Sequence, residues 1–153
     1  MTLRKSIVIT IVSILALSLV GCKGKKSTQE ELNSFTVVSP VKYEEIQLVD
    51  FKISEPENGE KEGKLEARFR NNSKEIISHI EFTYEVNGKQ YYLTSFETLK
   101  PGRSSDTKYT SIDTENIDDM KLSSVSIDIE KNDYNMSIIY DTESKEYTVD
   151  VSK

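Results

Sequence analysis

Side chains equipped for chemistry are scarce in this 153-residue chain: one cysteine, Cys22, and one histidine, His79, set among 26 carboxylates. Cys22 closes an apolar run near the N-terminus, so thiol–imidazole catalysis and multi-histidine zinc sites are excluded. No G-x-S-x-G elbow, phosphate-binding glycine loop or H-E-x-x-H helix occurs. Carboxylates remain, and a pair of them could hydrolyse a glycosidic bond, but no spacing selects one pair. Asp113, Glu115, Asp118 and Asp119 crowd one connection, and hard cations favour several oxygen ligands. No glycine-containing calcium loop frames them, so a solvated acidic turn is expected. The charged stretch 55–63 (E-P-E-N-G-E-K-E-G) reads the same way. The expectation is a protein with no catalytic residue, no cofactor and no metal.

Cys22 finds its use in what precedes it. Arg4 and Lys5 are followed by an apolar run over 7–20, interrupted only by Thr10, Ser13 and Ser18. This order of charge, apolar core and small residue is that of a secretory signal peptide. An uncleaved anchor is the competing reading, but the run falls short of the roughly 18 residues of a spanning helix. The tetrapeptide Leu19-Val20-Gly21-Cys22 resembles the lipobox of bacterial lipoproteins. The resemblance implies that the Cys22 thiol carries a diacylglyceryl group. It also implies that a signal peptidase, recognising Leu19, Val20 and Gly21, cuts just before Cys22. Each buried lipid CH₂ contributes roughly 0.8 kcal/mol, so one chain holds weakly and two or more hold stably. As the sole cysteine, Cys22 leaves no intrachain disulfide to form.

The chain thus divides into a signal peptide (1–21), a lipidated cysteine with a flexible tether (22–34) and a folded domain (35–153). Of 20 basic residues, Arg4 and Lys5 leave with the signal and Lys23, Lys25 and Lys26 sit beside the anchor. That leaves 15 basic against 26 acidic residues, a formal charge of −11. So acidic a body argues against nucleic acid, whose binding requires phosphate neutralisation. The three lysines are placed to meet anionic head groups, each attracted by on the order of 1 kcal/mol, or are simply solvated. The polar tether spans roughly 20 Å on average and at most ~40 Å extended.

From residue 35 onward, β-branched and aromatic residues recur with period two. A first short strand is expected at 35–38 (F-T-V-V), then a long one over 43–53. In that second strand Ile46 and Leu48 share one parity and Val49, Phe51 and Ile53 the other, which calls for a bulge or corner near Leu48-Val49. Leu65, Ala67 and Phe69 alternate with Glu66, Arg68 and Arg70. Further strands follow at Ile80–Val86, 89–97, 106–111, 124–130, 136–140 and 147–151, and the connection 112–120 has room for one helical turn. About nine short strands predict an all-β fold, an antiparallel sandwich or barrel.

Residues 65–110 carry a further outline: Arg70-Asn71-Asn72-Ser73, then Ile80-Glu81-Phe82-Thr83-Tyr84-Glu85 running into Asn87-Gly88-Lys89, then Leu99-Lys100-Pro101-Gly102. This resembles the FxLYD-type domains and related immunoglobulin-like β-sandwiches of bacterial secreted proteins and lipoproteins. The naming motif itself is loosened to Phe82-Thr83-Tyr84-Glu85. The resemblance implies an immunoglobulin-like sandwich and assigns no functional residue.

Asn87-Gly88 specifies a two-residue type I′ hairpin, since both positions need positive φ. In that register Val86 faces Lys89, Tyr84 faces Tyr91 and Phe82 faces Leu93, so Phe82, Tyr84, Tyr91 and Leu93 point inward. Tyr92 then joins Thr83, and Phe96 joins His79, on the other side. Tyr92, Phe96 and His79 are expected to form a partly exposed aromatic strip, a contact for a partner unless the tail or a neighbouring strand covers it. The function expected is a lipid-anchored, extracytoplasmic, non-catalytic binding or accessory module. It would sit on the outer side of the cytoplasmic membrane, or on an outer membrane where the envelope has one. Its partner would be a protein, peptide or envelope polymer. The alternative is a small envelope hydrolase using a carboxylate pair.

Overall fold

The computed structural model describes residues 38–56 and 62–153. The expected signal peptide, Cys22 and the expected tether lie outside them, as do residues 35–37 of the first expected strand. Val38 itself is exposed and not in a strand.

Eight strands occur among the described residues. They are β1 (Ile46–Ser54), β2 (Gly63–Asn71), β3 (Ile77–Val86), β4 (Lys89–Ser95), β5 (Lys108–Ile112), β6 (Lys121–Glu130), β7 (Asn135–Asp141) and β8 (Glu146–Ser152). They form two antiparallel sheets, a three-stranded one ordered β1-β2-β5 and a five-stranded one ordered β4-β3-β6-β7-β8. The two sheets pack as an antiparallel β-sandwich, as the sequence predicts. The expected polar strand at 106–111 is displaced to Lys108–Ile112. Ile112, which the sequence places in the following connection, ends that strand fully buried. The connection itself contains one turn of 3₁₀ helix, Ile117–Asp119, capped by the Asn116 side chain.

Alternation explains the core. Leu65, Ala67 and Phe69 of β2 face Ile80, Phe82 and Tyr84 of β3, and Val125, Ile127 and Ile129 of β6 extend the same layer. The Phe69 and Phe82 rings meet across the sandwich at 5.5 Å. Each such side chain contributes about 1.5–3 kcal/mol by leaving water. The parity switch in β1 is real and falls between Val49 and Lys52, a little later than expected. Asp50 absorbs it at φ 57°, a conformation Asp tolerates, and its carboxylate accepts from Arg68.

Five strands cannot be covered by three. The inward face of β7 and β8 is instead met by the segment entering the domain: Tyr43 stacks on Tyr140 at 4.2 Å, and its N–H donates to the Tyr147 hydroxyl.

The two turns singled out by sequence are joined through a buried side chain. Asn71 is wholly enclosed; its Nδ2 donates to the carbonyls of Glu75 and Leu99, and its Oδ1 accepts from Ser73 N–H and Oγ. The second turn closes from Arg103 N–H to Lys100 carbonyl, with Pro101 and Gly102 (φ +74°) at its centre.

Candidate functional site

The Asn87-Gly88 turn sets which β4 side chains face out. Asn87 and Gly88 both have positive φ, and β3 pairs with β4 as Val86–Lys89, Tyr84–Tyr91, Phe82–Leu93 and Thr83–Tyr92. Phe82, Tyr84 and Leu93 are buried inward and Tyr91 packs half-buried against them. Tyr92 and Phe96 are 48% and 81% exposed on the opposite face.

His79 and Phe96 are brought together, their rings stacked at 4.9 Å. Tyr92 is set apart from them, its hydroxyl donating to Gln90, with the Thr94–Glu81 hydrogen bond lying between. His79 is not the surface residue its strand phase suggests. Its side chain is only 18% exposed, because Phe96 lies over it and Asp128 beside it. Its Nδ1, shut off from solvent, stands 3.1 Å from Asp128 Oδ2 without forming a hydrogen bond.

Register extends this contact into a row across the sheet. His79 pairs with Asp128, Asp128 with Ser137, and Ser137 with Asp150. Beside the row lies a hollow of about 660 Å³, lined by Asp128, Glu130 and Asp150 together with Ser78, Ser137 and Asn135. Alternating Ile127, Ile129 and Ile138 into the core is what turns these polar neighbours outward.

The two outer faces differ in sign. The five-stranded face carries Glu81, Glu85, Asp141 and Glu146 besides the three carboxylates of the hollow, with Lys121 opposite Glu85. The three-stranded face presents Lys52, Lys64, Arg68 and Arg70 against Asp50 and Glu66. Tyr109 stands exposed on that face.

The acidic connection does not converge. Asp113 pairs with Lys89 at 2.8 Å, and Asp119 accepts from Thr114. Among the described residues no three His, Cys, Asp or Glu side chains are grouped to hold a metal ion. The hollow was not visible to sequence reasoning, although the outward phase of Asp128 and Asp150 was a usable signal. No family model, curated protein or solved structure matches the chain.

Proposed function

We propose that the chain is a membrane-anchored extracytoplasmic lipoprotein whose sandwich is a non-catalytic binding or accessory module at the cell envelope. The observation that carries the binding role is Phe96, an aromatic ring 81% exposed and held in place by stacking on His79. An exposed aromatic fixed on a sheet face contributes contact area at little entropic cost. The anchoring role rests on the basic, apolar, L-V-G-C order ending at Cys22. Among the described residues no helix is long and apolar enough to cross a membrane.

A photo-crosslinking residue placed at position 96 on intact cells tests the binding role, with position 109 on the opposite face as control. An adduct from 96 and none from 109 is expected; equal yields, or none from 96, refute it. The Cys22→Ser variant tests the anchor. It should leave the membrane or remain unprocessed, and unchanged mass with unchanged membrane retention refutes lipidation.

A further inference from the structure

The exposed aromatic and the carboxylate hollow lie side by side on one sheet face, and together they specify the chemistry of a ligand. Asp128 touches both, contacting His79 under Phe96 and lining the hollow with Glu130 and Asp150. A divalent cation would need three or more ligands converging, and the described residues offer no such group. A hollow of about 660 Å³ is also far larger than an ion requires. An organic cation on a long stem fits better: its charge would sit among separated carboxylates and its stem against an aromatic face. The row from Phe96 to Asp150 crosses five strands, roughly 19 Å at ordinary strand spacing. An extended peptide of about six residues covers that distance.

We propose that the Phe96–His79 stack and the hollow between Asp128, Glu130 and Asp150 form the docking site for an arginine-bearing peptide segment of a partner protein. This rests on the binding-module reading and adds the chemistry of its partner. Arginine is favoured over lysine because its planar guanidinium both stacks on Phe96 and forks onto a carboxylate. Charge complementarity argues for the occupant: the face presents seven carboxylates against one lysine, Lys121, and a cationic segment would be steered to it at low salt.

The probe is a coumarin-labelled hexa-arginine peptide, titrated by fluorescence anisotropy against the full-length chain in neutral detergent. Saturable binding is expected, weakened at least ten-fold by Asp128→Asn/Asp150→Asn and about three- to ten-fold by Phe96→Ala. A control with the same charge change elsewhere, Glu115→Gln/Asp118→Asn, should stay within two-fold, and hexa-lysine should bind more weakly than hexa-arginine. Circular dichroism establishes that each variant is folded. No saturable binding, or equal weakening by the control, overturns the proposal. Wild-type self-association that the Asp128/Asp150 variant abolishes would also overturn it, in favour of a second copy docking through its Lys52–Arg68 face. If hexa-arginine fails while crosslinking from position 96 still captures a partner, the cationic chemistry alone is wrong.

Discussion

Exchanging Asn71 for Asp alters one atom's identity in the most densely bonded polar group described. The carboxylate would keep the acceptor role toward Ser73 but place an oxygen where Nδ2 donates to Glu75 and Leu99 carbonyls at 2.8 and 2.9 Å. Two bonds are lost, each contributing about 1 kcal/mol net. Leu99 carbonyl retains its bond from Ile77 N–H, so the larger penalty, about 1–3 kcal/mol, falls on the part-buried Glu75 carbonyl. Oxygen facing oxygen and burial of the charge raise the cost further, to about 4 kcal/mol at neutral pH. That is a large share of the ~5–15 kcal/mol that holds an ordinary domain. The effect should depend on pH. Burial and the two carbonyls raise the introduced carboxyl above its unfolded value of about 3.9. The folded variant then binds more protons than the unfolded chain, so its stability is greatest below that unfolded value. It falls as pH rises through the folded one. Once protonated, the group donates one of the missing bonds. Urea denaturation followed by circular dichroism at pH 7 and pH 3.5 measures the deficit relative to wild type at each pH. A deficit under 1 kcal/mol at pH 7, or one equal at both pH values, would refute this account of Asn71.

Phe69→Ala should cost about 3–5 kcal/mol, because Phe69 is fully buried against Phe82 of the other sheet; a change below 1 kcal/mol in urea would show the core can close around the loss. Gly88→Val should cost about 1–2 kcal/mol from backbone strain alone, since Gly88 sits at φ +77° with open space around its Cα; Gly88→Asn should restore most of it. Glu97 accepts from Lys108 and from Asp106 N–H, and these bonds hold its carboxyl below the usual range. Its contribution is therefore present above the unfolded carboxylate value and lost as pH falls through the lower folded one; Glu97→Gln should flatten that acid limb and shift neutral stability by no more than about 1 kcal/mol. Burial raises the Tyr84 hydroxyl well above an ordinary phenol, so an alkaline absorbance titration should show Tyr84 ionising only as the domain unfolds.

Legibility followed the range of the interaction. The Asn87-Gly88 hairpin was readable because two adjacent residues determine it and the flanking parity does the rest. The parity break near Asp50 was readable for the same reason, within two residues. Ile112 was misplaced because its polar neighbours hid an apolar residue whose burial depends on β2 beside it. Asn71 reads as one more turn residue, and only the approach of Leu99, distant in sequence, encloses it. His79 shows the same limit: the hairpin register places it outward beside Phe96, but Asp128 of β6, distant in sequence, borders it as well and leaves it mostly covered. The hollow needs the register of β6, β7 and β8 together, which no local pattern encodes. The signal peptide and Cys22 remain a reading of sequence alone.

The clasp between Tyr43 and the last hairpin has a mechanical meaning. Tension arriving from upstream of residue 38 would, in β1 alone, reach a strand held to β2 at seven paired positions and start at its Ile46 end. Bonds loaded from one end give way in succession. The buried Val41 and then Tyr43 meet that load before β1 does, Tyr43 passing it through the Tyr140 ring and the Tyr147 hydroxyl into the five-stranded sheet. A pull from the N-terminal side is thus shared by both layers of the sandwich, and β1 peels only after tyrosine contacts made across roughly 100 residues of chain have let go.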